Sequence, residues 1–203
     1  EVKVVFADRH ATTKASADGR WRVEISPPPA GGPYQVTIEG SSVKQINDVL
    51  VGEVWLCSGQ SNMQWSLAGT LNAEAEVAAA NYPQIRVYNV PNVRSNREED
   101  DVSARWQVCT PDSARRFSAV GYFFGRHLHQ ELKVPVGLIN SSWGGTHAEA
   151  WTPREDLIKL PGMRAQLEGN DDAKNSLWRK HGEELAKWMA GQGVANDAGD
   201  KIS

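Results

Sequence analysis

Two cysteines, Cys57 and Cys109, are all that the 203 residues contain. That excludes a disulfide scaffold and a cysteine-ligated metal cluster. It leaves either one bridge, in an oxidising compartment, or two buried thiols. Positive charge is also short. Lys and Arg number 22 against 25 Asp and Glu, a net charge of −3, so there is no nucleic-acid footprint. No apolar run approaches the roughly 18 residues needed to cross a bilayer, so no membrane span is expected. Internal repeats are lacking. The chain opens at Glu1 inside a strand-like run with no leader pattern, so its natural start is expected further upstream.

The sequence is richer in tryptophan, with eight. Indole rings stack on sugars, but more often they fill cores. The most informative stretch runs from Val49 to Trp65. It begins as an apolar strand, broken by Gly52 and Glu53, and changes abruptly to small and polar residues. In open α/β sheets, side chains at a strand's carboxyl end project into a crevice. Gly59 permits a tight turn, and Ser61 is then a hydroxyl on a sharp corner, a position for a nucleophile. The competing reading is a polar loop that closes a strand. The Gly-x-Ser-x-Gly elbow is not present, because Met63 stands where its second glycine would be.

Around this stretch the chain alternates elements. Val2 to Phe6 reads as a strand, Asp18-Gly19 as a turn, and residues 21–25 and 34–38 as half-buried strands with period-two alternation. Short strands split by turn chemistry suggest a small antiparallel sandwich, truncated, over residues 1–48. From Val49 the pattern becomes strand, helix, strand, helix, strand, the beginning of a doubly wound parallel α/β sheet. Residues 72–80 are helix-prone, residues 85–90 a strand, and residues 92–103 an irregular charged loop. A helix is expected over residues 117–132, capped by Ser118, with Val120, Phe124, His127, Leu128 and Leu132 on its packing face. Residues 134–139 make the next strand. Pro153 starts a helix to about Leu160, residues 171–190 form another, and the small polar tail from about residue 191 is expected to be flexible.

The string GEVWLCSGQSNM, residues 52–63, resembles the first block of the sialate O-acetylesterase family, SGNH-type carbohydrate esterases related to acetylxylan esterases. PVGLINSSWGGTHAEAWT, residues 135–152, resembles a second block, and Ala30-Gly31-Gly32-Pro33-Tyr34 resembles the lead-in. The resemblance covers residues 18 to 152. It implies an SGNH-hydrolase-like sheet over residues 49–203, the N-terminal part of the esterase domain, and a serine mechanism without metal or cofactor. Ser61 would be the nucleophile. The oxyanion would be held by the Ser61 N–H and by Gly145 first, Gly144 second; the alternative is that both glycines only turn the chain. Gln60, Asn62, Trp65 and Trp143 are candidate substrate contacts. For Gln60 and Asn62 the rival role is holding the turn. For Trp65, Trp143 and Trp151 it is core packing.

The family pattern also has an Asp-x-x-His pair and an oxyanion Asn in a third block, and neither occurs in this sequence. His10, His127, His129, His147 and His181 are the only imidazoles. His147 follows the second block closely but reads as a pocket-rim or surface residue. The expectation is therefore a carbohydrate O-acetylesterase acting on sialic acid or a related sugar. A second fragment or chain would supply the catalytic His and Asp and the oxyanion Asn. The alternatives are an acetylxylan esterase of the same mechanism and a non-catalytic carbohydrate-binding module. The resemblance further implies a secreted, periplasmic or lysosomal setting.

Overall fold

The computed structural model describes residues 1–95, 98–169, 172, 175–177, 179–181, 183–184 and 187. The chain divides into two compact units, Glu1–Thr146 and His147–Ser203.

In the first unit, β1 (Val2–Phe6), β2 (Arg9–Thr13), β3 (Gly31–Glu39) and β4 (Val43–Val51) form one antiparallel sheet in the order β2-β1-β3-β4. Val4 faces Ala11 on one side and Ile38 on the other, so β1 is hydrogen-bonded along both edges. Val2 and Val4 are its buried positions, the alternation expected of a strand with one covered face. The Asp18-Gly19 turn forms as expected, with Gly19 at φ +82°. Residues 21–25 do not form the expected strand. Both edges of β1 are already occupied, and the three prolines from Pro27 to Pro29 remove donors directly after the stretch. The hairpin partner is instead β2. The expected sandwich is, among the described residues, this single sheet.

The apolar run from Val49 is shared between two sheets. β4 continues to Val51, and β5 (Glu53–Gly59) begins the second sheet. Gly52 is the junction. A Cβ there would lie 2.0 Å from the Pro135 carbonyl oxygen, which accepts the Glu53 N–H at 3.0 Å.

The elements that follow are α1 (Ser61–Gln64), α2 (Ala73–Ala78), β6 (Tyr82–Asn89), β7 (Gln107–Cys109), α3 (Pro111–Arg115), α4 (Ala119–Leu132) and β8 (Val136–Ser142). The second sheet has the order β5-β8-β6-β7. β5, β8 and β6 run parallel, and β7 adds an antiparallel edge. This is a mixed α/β sheet of the expected class, with β7 and α3 as elements not anticipated. α3 is legible in hindsight: Thr110 and Ser113 form a reciprocal cap around Pro111. The core gathers Ile85 and Val87 from β6, Val136 and Leu138 from β8, and Leu67, Val77, Phe117 and Tyr122 from the helical layer.

The packing face of α4 differs from expectation. Ala119, Gly121, Tyr122 and Gly125 are buried, whereas Val120, Phe124 and Leu132 are 50%, 37% and 51% exposed. The small residues set the distance of approach. A Cβ on Gly125 would meet Leu138 Cδ1 at 2.5 Å, and one on Gly121 would meet Cys57 Sγ at 3.3 Å. The helix lies on the sheet through its glycines and Tyr122, with Phe123 and the expected Leu128 packed partly against the core, while Val120, Phe124 and Leu132 face outward. Ser118 caps it as expected, accepting the Gly121 N–H at 3.1 Å. Cys57 and Cys109 are both buried and both free thiols, which settles the choice against a bridge.

The second unit opens with a 3-10 turn at Ala148–Trp151, then α5 (Arg154–Leu157), then a helix over residues 163–169. α5 follows Pro153 as expected but stops short of Leu160. Of the helix expected over residues 171–190, the described positions 172, 175–177, 179–181, 183–184 and 187 are all helical, and the remainder lies outside the described residues. The tail from residue 191 lies wholly outside them. Among the described residues no helix is long and apolar enough to cross a membrane.

Candidate active site

Because β5, β8 and β6 are parallel, their carboxyl ends open on one edge of the sheet, and three loops leave there. The first is the corner that carries Ser61, the candidate nucleophile. Gly59 sits at φ +150°, a conformation few other residues adopt, and a Cβ there would come 3.2 Å from the Met63 Cβ. The chain then enters the single turn of α1, of which Ser61 is the first residue. Met63 takes the place of the missing glycine for a packing reason. It is half-buried against the core, with Ser118 Oγ 3.4 Å from its sulfur. Backbone bonds from Ala119 N–H to Trp65 O (2.8 Å) and from Leu67 N–H to Phe117 O (3.0 Å) fasten the corner to the start of α4. Ser61 is exposed, and among the described residues its hydroxyl has no hydrogen-bond partner.

The second loop follows β8. Ser142 is in register with Gly59, and the Trp143 N–H extends the ladder by donating to Gly59 O at 3.0 Å. Gly144 then lies flush against the nucleophile: a Cβ on it would be 3.2 Å from both Cα and Cβ of Ser61. Its N–H donates to Gln64 Oε1 at 2.8 Å. Gly145 follows at φ +74° with open space where a Cβ would be, and its N–H has no partner among the described residues. Gln60 Nε2 donates to the Thr146 carbonyl, and Thr146 Oγ1 donates to Trp143 O at 2.6 Å. The structure therefore brings Ser61, Gln60, Gly144 and Gly145 together. It also adds Gln64, which lies one helical turn beyond Gln60; that i, i+4 spacing was the available signal.

The third loop leaves β6. Asn140 Nδ2 donates to Asn89 Oδ1 at 3.0 Å, Ser142 Oγ donates to Asn140 Oδ1 at 2.7 Å, and the Val90 N–H donates to Asn140 O at 2.9 Å. This chain of side chains ties the exit of β6 to the exit of β8. Arg94, on this loop, carries its guanidinium carbon over the Trp143 ring, 5.7 Å from the centroid.

Of the other candidates, Trp65 is 58% exposed and donates its indole N–H to Gly69 O at 2.9 Å, covering the turn after α1. Asn62 is exposed on α1. His10 lies on β2 in the antiparallel sheet. His129 Nδ1 is 2.7 Å from Val134 O, at the amino end of β8. That is the opposite end of the strand from Ser61, about 20 Å away at the rise of seven residues. His127 shares the last turns of α4 with it. His147, Trp151 and His181 belong to the second unit.

Comparison with known proteins agrees with this arrangement. Residues 51–190 match the family model for carbohydrate esterases described as sialic acid-specific acetylesterases. The sialate O-acetylesterase of Mus musculus is 34% identical over 182 residues, which is 82% of this chain and 34% of the mouse protein. That of Homo sapiens is 38% identical over 160 residues, 72% of this chain and 30% of the human protein. A crystal structure of a carbohydrate acetylesterase from Xanthomonas citri superposes with a TM-score of 0.74 at 40% identity, covering 80% of this chain and 38% of that one. The chain spans about a third of the length of the curated relatives it matches. With the two sequence blocks folded into one corner and the family model covering more than half of its residues, the chain belongs to the sialic acid-specific acetylesterase family of carbohydrate esterases.

Proposed function

We propose that this chain carries the nucleophile and oxyanion-binding part of a serine carbohydrate O-acetylesterase. The observation that carries the reading is the contact of Ser61 with Gly144, beside the open N–H of Gly145. Ser61 Oγ attacks the acetyl carbonyl carbon. Its proton passes to a base and then to the departing sugar oxygen as the C–O bond to the sugar breaks. The acetyl-enzyme is cleaved by water to acetate. The oxyanion of each tetrahedral intermediate accepts from the N–H groups of Ser61 and Gly145. Gly144 is the second choice because its N–H is committed to Gln64.

The base is an imidazole with a carboxylate behind it, contributed with an oxyanion Asn by polypeptide outside these 203 residues. The support is positional: His10, His127 and His129 lie on elements away from the corner, and among the described residues of the first unit the Ser61 hydroxyl meets no imidazole. The substrate is an O-acetylated sugar, with sialate foremost because the curated relatives are named for it. Acetylated xylan is the alternative that shares the mechanism. The setting is secreted, periplasmic or lysosomal.

Ser61→Ala is expected to abolish acetate release by the completed protein while leaving its fold and thermal midpoint intact; retained release would sink the assignment. The 203-residue chain by itself should hydrolyse p-nitrophenyl acetate no faster than Ser61→Ala. A Ser61-dependent, enzyme-like rate from it would refute the need for a completing segment. A fluorophosphonate that fails to label Ser61 in the completed protein would favour the binding-module reading.

A further inference from the structure

We infer that Arg94 and Trp143 form a recognition subsite for the carboxylate of an acidic sugar, beside the corner that receives its acetyl ester. The inference rests on the esterase reading above and deepens it, because it separates an acidic sugar from neutral xylan.

Three observations carry it. First, Arg94 and Ser61 leave the same edge of the sheet. Trp143 is the residue before Gly144, on which a Cβ would meet Ser61 Cα and Cβ at 3.2 Å. Second, the guanidinium is placed rather than free to wander. It sits over the Trp143 ring at 5.7 Å, and the loop that carries it is anchored at its base through Asn89, Asn140 and Ser142. An aromatic face fixes a guanidinium by its quadrupole and leaves the N–H fork for a planar anion. Third, that fork is unclaimed. Among the described residues Arg94 has no carboxylate or carbonyl partner. The acidic residues further along the loop are engaged elsewhere: Glu99 accepts from Ser95 at 2.8 Å, Asp100 lies 3.6 Å from Arg20, and Asp101 accepts the Val102 N–H at 2.8 Å. Elsewhere in this unit the arginines at 86, 115 and 126 are each matched to a carboxylate, whereas Arg9, Arg105 and Arg116 have none among the described residues; what sets Arg94 apart is the indole beneath it beside the Gly144 loop. An unmatched guanidinium pinned to an indole at the mouth of the site suits a ligand that brings its own carboxylate.

The test is binding, which does not require the missing base. Saturation-transfer NMR on the completed protein compares methyl N-acetylneuraminate glycoside as the free acid with its neutral methyl ester, and a methyl glucuronoside with methyl xyloside. The acid is expected to bind roughly tenfold more tightly than its ester, the worth of a hydrogen-bonded charged pair. Arg94→Gln should erase that preference without weakening the ester, and Arg94→Lys should restore part of it. The glucuronoside arm shows whether any sugar carboxylate suffices. Equal binding of acid and ester, an unchanged preference in Arg94→Gln, or no binding of either sugar would overturn the inference. Ser61→Ala should keep the acid preference. If the preference is absent while Ser61 of the completed protein takes the fluorophosphonate, only the subsite is wrong. If the preference holds and Ser61→Ala still releases acetate, only the esterase assignment is wrong.

Discussion

The Gly144 N–H donates to Gln64 Oε1 at 2.8 Å, so the loop after β8 is held by the same helical turn that begins with Ser61. With Trp143 bound to Gly59 and Gln60 bound to Thr146, both loops are cross-linked by hydrogen bonds on either side of Gly145. Pre-set donors of this kind stabilise a developing oxyanion without reorganising during the reaction. Gln64→Ala should slow acylation of Ser61 by roughly tenfold, the worth of one hydrogen bond that positions a reacting group. The thermal midpoint should stay within a few degrees. Stopped-flow acylation in the completed protein, beside a melting curve, checks both; an unchanged rate would remove Gln64 from the site.

Gly144 and Gly145 separate two kinds of damage. In Gly144→Ala the new methyl meets Ser61 Cα and Cβ at 3.2 Å and Gln64 Oε1 at 3.0 Å, so the nucleophile must shift. Acylation should fall further than stability does. In Gly145→Ala the methyl meets nothing, but the backbone stays at φ +74°, a strain of about 1–2 kcal/mol for an alanine. Its N–H remains in place. Stability should fall more than acylation, and urea melts run beside the acylation assay would show the reversed order if the reading is wrong.

Two titratable groups give opposite pH signatures. Arg86 donates two hydrogen bonds to the Asp48 carboxylate, at 2.7 and 2.8 Å, and holds its pKa below the usual carboxylate value. That contribution is present above the unfolded pKa and is lost as pH falls through the folded one. The Asp48 side chain is 55% exposed, so the effect is screened and worth less than about 1 kcal/mol. Asp48→Asn tolerates the same φ of +59°. Its urea midpoint should sit below wild type at pH 7, and the gap should narrow as pH falls below the ordinary carboxylate value of 3.8. A gap that does not narrow would show that the ion pair contributes nothing. Cys109 goes the other way: burial raises its thiol from 9.0 to about 11. The neutral form is favoured in the folded chain, so its contribution is complete below pH 9 and is lost between pH 9 and 11. Iodoacetamide at pH 8 should leave Cys109 unmodified until the chain is unfolded.

Much of the fold was legible because local chemistry and burial agreed. β1, β3, β6 and the Ser118 cap follow from runs, alternation and capping that tertiary contacts reinforce. Residues 21–25 alternate just as well, but strand formation also needs a partner strand in register, and no short window encodes one. The face of α4 was misread because periodicity weights large apolar side chains, whereas contact with the sheet is set by Gly121 and Gly125. At the site, the strand-to-serine corner was legible. For Gln64 the spacing from Gln60 was the one local signal, and its partner, 80 residues away, was not legible. Arg94 gave no signal, because only the parallel order of β8 and β6 brings its loop beside Trp143.

β5 is the outer strand of its sheet, and Val54, Trp55 and Leu56 on it are 63%, 42% and 67% exposed, with Phe124 edge-on to Trp55 at 5.1 Å. Among the described residues no strand pairs with that outer edge, and an apolar open edge recruits further strands, copies of the chain included. Rates and melting curves of this polypeptide should therefore be read across a dilution series, and a lysine at position 54 or 56 should reduce any concentration dependence.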